Sequence, residues 1–299
     1  MSDLSLPEPV HADQALDVQH DTDPESDHSV ARRIPHLGHA LIFFSLTAFT
    51  LFGWSMVLIV IAMSVYKVTV TAHSPAGAYV GGLDTLFTYA TTLGISFPLF
   101  PLLWQRSFLD GIHWVYRAAR LRWWKLILLG VGLSLICQLA DRYIVKSPAH
   151  SDVVELFRNP FAAYLTSIFG GIFIPLFEEV AFRGFLLPAF ATAYDWLSLP
   201  RTPAAMQQWR QTTSHTTSSW IFSTFITSLF FVALHGFQLH WAWGALGVLF
   251  VPSVAFSIVR IRTGSVAAAA LVHAAYDSLI FFEIFIQTGA FHHLSKLTS

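Results

Sequence analysis

From Leu41 to Val65 the chain runs 25 residues without a charged side chain. In a helix at ~1.5 Å per residue, such a run more than covers the ~30 Å hydrocarbon core of a bilayer. Backbone in lipid must satisfy its own hydrogen bonds, which leaves only helices and closed barrels. A continuous apolar run, rather than an alternating one, selects the helix. Comparable stretches recur, so that the candidate spans lie near 39–66, 84–104, 123–145, 161–190, 219–238, 241–260 and 265–287. Only 12% of the residues are charged and 54% are hydrophobic; a soluble domain carries about twice that charged fraction. The expected fold is an all-α, polytopic integral membrane protein with about seven (six to eight) transmembrane helices.

The formal net charge of −1 conceals an asymmetry, because eight of the 18 acids lie in residues 1–30, which hold no Lys or Arg. Residues 1–35 read as an acidic, solvated, disordered tail, and its acidity excludes a signal peptide, which needs a basic start. The helical membrane domain is expected over 36–299. Cys137 is the single cysteine, so no disulfide framework exists. No basic patch or nucleic-acid motif is present, and nucleic acid is not an expected partner. Internal repeats of the kind found in many transporters are not evident. The polar stretches 146–160 and 196–218 cannot span alone, and either has room for a half-buried eighth helix. With the N-terminus cytoplasmic, twelve Lys and Arg residues fall in cytoplasmic segments and five in outer ones, chiefly because of the loop at 105–122. That orientation is expected, in a bacterial inner (plasma) membrane.

Ionisable groups inside a span cost a few kcal/mol each on insertion scales, so they have partners or a task. Glu178-Glu179-Val-Ala-Phe-Arg183 places Glu179 and Arg183 one helical turn apart, at ion-pairing distance. Glu178 points about 100° away and has no partner in its own helix. A paired carboxylate beside an unpaired one suits acid–base chemistry; a plain Glu–Arg lock between helices is the bland alternative. His235 ends the apolar run Phe231-Val-Ala-Leu-His235, where a lone histidine is more often a packing residue. His273 and Asp277 stand at i and i+4 on one helix face, so Asp277 can orient the imidazole. Glu283 falls near a helix end and reads as structural, and the remaining histidines fall in loops or at span ends.

In order and membrane setting, Glu-Glu-x-x-x-Arg, Phe-x-x-x-His and His-x-x-x-Asp resemble the CAAX prenyl protease and bacteriocin-processing (ABI) family of intramembrane endopeptidases. The strings EEVAFRGFLL, SLFFVALHG and RTGSVAAAALVHAAYDSL have the same texture, and the likeness covers a catalytic core of about 160–287. It implies helices enclosing a polar intramembrane cavity and endopeptidase activity on a membrane-associated protein or peptide. By motif position, Glu178 is the general base on water, His235 assists it, and Glu179 with Arg183 is support. His273 and Asp277 contact the scissile carbonyl or its oxyanion. Many members carry Asn where this chain has Asp277. Ionised Asp cannot donate a hydrogen bond to an oxyanion, so Asp277 would act protonated, by orienting His273, or as a metal ligand. Glu178, His235, His273 and Asp277 would make a reasonable zinc site with a water position left over, and spacing does not decide between metal-bound and metal-free water.

Two other classes stand beside the endopeptidase: a proton- or ion-coupled transporter, and a catalytically silent scaffold or immunity protein. There is also a question of depth. Under strict alternation, Glu178 and His235 each lie about 25 Å from opposite faces. A broken, kinked or late-starting helix is therefore expected near Gly170, Gly171 and Pro175.

Overall fold

The computed structural model describes residues 33–71, 74–145, 157 and 160–297. The acidic tail up to residue 32 and most of the 146–160 stretch lie outside the described residues.

Seven helices are long and apolar enough to cross a membrane, and no strand occurs among the described residues. They are α1 (Leu37–Ser64), α2 (Pro75–Trp104), α5 (Trp123–Ala140, continued by a π turn over Asp141–Val145), α6 (Pro160–Ser198), α8 (Thr217–Leu234), α9 (Trp243–Thr263) and α10 (Val266–Gln287). Short helices α3 (Phe108–Gly111) and α4 (Tyr116–Leu121) fill the loop after α2. In the 196–218 stretch the structure places only α7 (Pro203–Gln211), none of whose residues is buried; it is a surface helix, not a half-buried span. Ser74, Thr202, Thr216 and Ser265 cap the starts of α2, α7, α8 and α10, each hydroxyl accepting an amide the helix leaves unpaired. Gly264, at φ +66°, makes the left-handed end of α9 and lets α10 begin two residues later.

Lipid is as apolar as a leucine side chain, so helices in a bilayer associate through packing and polar contacts. The α1–α2 seam shows this. Thr50 Oγ1 lies 2.8 Å from Thr92 Oγ1, and the Trp54 indole donates to Thr91 Oγ1 at 3.0 Å. Ser55 donates to Asp84, a buried acid that hydropathy alone passes over. Aromatic rings fasten this pair to α6: Phe43 stacks on Phe185 at 4.4 Å, and Tyr89 on Phe177 at 3.7 Å. On the other side α5 meets α10 closely at Gly130, where a Cβ would stand 2.3 Å from the Val272 carbonyl oxygen.

The expected irregularity in α6 is present as two π-helical stretches, Phe169–Phe173 and Val180–Leu186, rather than a break. Pro175 has no N–H to give the Gly171 carbonyl four residues back. That carbonyl is instead met by Ser278 Oγ of α10 at 3.1 Å. Pro252 likewise leaves the Val248 carbonyl unpaired in α9, and Cys137 Sγ lies 4.0 Å from it. Proline thus trades an internal hydrogen bond for a contact between helices.

Candidate active site

The second π stretch widens α6 just after Glu178 and Glu179, a common setting for functional residues. Arg183 lies within it, fully buried. Its Nη1 donates to Glu179 Oε1 at 2.8 Å. Nη2 donates to the Ser253 carbonyl at 2.6 Å and to Ser253 Oγ at 2.8 Å, and Nε points to Ser257 Oγ at 3.4 Å. Ser253 and Ser257 are an i, i+4 pair on α9 directly after Pro252. Two serines on one face of an apolar run, four apart, were the available signal for this cradle, and the sequence reading missed it. A guanidinium so held binds α6 to α9 and gives the buried Glu179 carboxyl a hydrogen-bonded partner.

Glu179 Oε1 also accepts from His273 Nδ1 of α10, at 2.9 Å. The imidazole stacks on Phe256 at 4.4 Å. Glu179 thus holds the Nδ1 side of the His273 ring. Asp277 Oδ2 stands 3.5 Å from the other nitrogen, Nε2, as its i, i+4 partner. Glu178 Oε2 lies 3.8 Å from the same Nε2, and Glu178 Oε1 lies 3.9 Å from His235 Nε2. His235 follows the last turn of α8, and its Nδ1 sits 2.8 Å from the Phe231 carbonyl. A carbonyl only accepts, so Nδ1 carries a proton and Nε2 is the nitrogen that faces Glu178.

Six side chains from three helices therefore meet in two layers. Glu179 and Arg183 form the dry lower layer, both wholly buried. Glu178, His235 and Asp277 retain 14%, 22% and 22% side-chain exposure, with His273 bridging the layers. The site lies at the end of α8 but only seven residues into α10, about 27 Å and about 10 Å along these helices. Unequal lengths to one site, with α6 running unbroken for 39 residues, remove the depth conflict posed by strict alternation. Glu283 stays apart, near the far end of α10, facing the Gln138 amide.

Among the described residues, no group of three or more His, Cys, Asp or Glu side chains is placed to hold a metal ion.

Residues 160–279 match the family model described as type II CAAX prenyl endopeptidase Rce1-like. An Escherichia coli protein described as an uncharacterized 24.3 kDa protein is 28% identical over 163 residues, 54% of this chain and 59% of that relative. The chain thus spans about three fifths of the relative's length. No solved structure matches the chain. Over residues 160–279, the segment holding all six of these side chains, the chain is similar to the Rce1-like family of type II CAAX prenyl endopeptidases.

Proposed function

We propose that the protein is an intramembrane endopeptidase that hydrolyses a peptide bond of a membrane-associated protein or peptide through a water activated by Glu178. One observation carries this reading. Glu178 lies 3.9 Å from His235 Nε2 and 3.8 Å from His273 Nε2, and Asp277 lies 3.5 Å from that same His273 nitrogen, separations longer than a good hydrogen bond and suited to a bridging water. Glu178 takes a proton from that water while the His235 Nε2 lone pair accepts its second hydrogen. The water oxygen bonds to the scissile carbonyl carbon, and the carbonyl oxygen takes up the negative charge beside His273. When the carbon–nitrogen bond breaks, Glu178 returns the proton to the leaving amine. Glu179 and Arg183 touch no reacting atom in this scheme; they position His273. The Lys and Arg distribution favours a cytoplasmic N-terminus, in a bacterial inner membrane.

New protein N-termini compared between cells expressing wild type and Glu178→Gln at matched levels test the proposal. Termini present only with wild type identify the substrates and cut sites. Identical sets, with both proteins folded and membrane-inserted, count against proteolysis.

A further inference from the structure

Arg260 lies on α9 one turn after Ser257, the last serine of the Arg183 cradle. Like Arg183 it is buried, at 6% exposure. Unlike Arg183, it forms no hydrogen bond or ion pair among the described residues, and its Nε is sealed from solvent without a partner. Its neighbours supply no counter-charge. His113, from the loop after α3, and His215, just before α8, are its electrostatic neighbours. Arg106 adds its charge at His113, and Arg33 at His215.

The two acids nearby are committed elsewhere. Asp110 accepts from Ser107 Oγ at 2.6 Å. Asp195 is saturated by Thr216 Oγ1 at 2.6 Å, His215 Nδ1 at 2.8 Å and Ser219 Oγ at 3.1 Å. A buried guanidinium with no carboxylate of its own is stabilised by an anion from elsewhere. Guanidinium geometry suits the paired oxygens of a phosphate. Tryptophans of the kind that mark headgroup level sit beside these neighbours: Trp209 lies 3.7 Å under the Arg33 guanidinium, and Trp220 packs on His215. Basic pockets between spans at that level hold lipid headgroups.

We propose that Arg260 forms the floor of a binding site for a phosphate group, free or as the headgroup of an anionic phospholipid, where the end of α9 meets the loop after α3 and the segment before α8. His113 and Arg106 form its rim.

The test uses the purified full chain. Its Tm is read in phosphatidylcholine vesicles with and without phosphatidylglycerol, and in neutral detergent titrated with inorganic phosphate against chloride of equal ionic strength. Wild type is expected to gain several degrees, and Arg260→Met to lose that gain while starting from an equal or higher Tm. A gain with inorganic phosphate assigns the site to free phosphate; a gain confined to phosphatidylglycerol vesicles assigns it to the headgroup. Should Arg260→Met not fold, Arg106→Ala combined with His113→Asn strips the rim and is expected to raise the half-saturating concentration about tenfold. No gain in either medium, or a full gain in the variants, overturns the proposal. So does a Tm that ignores both phosphate sources yet falls when residues 1–30 are deleted, because the anion would then be the chain's own.

Discussion

His273 Nδ1 lies 2.9 Å from Glu179 Oε1, the same oxygen that takes the Arg183 guanidinium at 2.8 Å. One carboxylate oxygen therefore holds both a buried guanidinium and the imidazole that stands beside Glu178. Nothing in this arrangement requires Asp277.

Glu179→Gln tests that division of labour. It leaves Arg183 buried without a counter-charge, at a cost of about 3–5 kcal/mol, and replaces the charged acceptor of the imidazole by a weaker, neutral one. Cleavage is expected to fall by roughly 10²-fold or more through kcat rather than KM, with a clearly lowered Tm. Asp277→Asn keeps the Glu179–His273 bond and is expected to hold stability within about 1 kcal/mol. Equal losses of Tm in both variants would show that Asp277 shares the orienting role.

The uncharged runs were long enough to reveal all seven spans, because lipid imposes a length on any helix that crosses it. The i, i+4 pairing of Glu179 with Arg183 was equally legible, since both partners lie on one helix. Contacts between helices were not. That Glu179 reaches His273, 94 residues away, depends on how α6 and α10 pack. Arg260 lay at an apparent span end, where sequence suggests solvation, and only the fold shows it buried. Asp195 and His215 looked like ordinary loop-edge residues until α6 and α8 brought them to 2.8 Å.

Gly130 is where α5 comes closest to the helix that carries His273. Gly130→Ala would set a methyl 2.3 Å from the Val272 carbonyl oxygen and 2.8 Å from Ala275 Cβ. Backbone cannot yield there without shifting α10 next to His273. A loss of about 1–3 kcal/mol is expected, together with reduced cleavage. Gly132→Ala on the same helix meets nothing within 4 Å and is expected to be neutral or to stabilise by about 0.5–1 kcal/mol. Thermal unfolding of the two variants side by side decides the matter, and matched losses would refute the close approach.

Ser278 covers the carbonyl that Pro175 leaves unpaired in α6. Ser278→Ala is expected to cost about 1–3 kcal/mol, the penalty for a buried acceptor without a donor. Hydrogen exchange should quicken in the π turn over Phe169–Phe173, while the amides of α8 keep their protection. Unchanged exchange in that turn would mean that the hydroxyl does not hold it.

His113 makes stability depend on pH. Desolvation, then the charges of Arg260 and Arg106, hold its imidazole down to about 4, against the opposing pull of Asp110. In the unfolded chain the group titrates near ~6.5, so between these values the unfolded state binds more protons than the folded one. Stability therefore rises with pH across that window and is flat above it. The backbone at His113 is left-handed, with φ +58°, a conformation asparagine tolerates, so His113→Asn removes the titration without straining the turn. On acidification from pH 7 to pH 5 the Tm of wild type is expected to fall more steeply than that of His113→Asn, and above pH 7 the two curves should run parallel. Curves parallel throughout, or a steeper fall in the variant, would show that the imidazole is not held below its ordinary range.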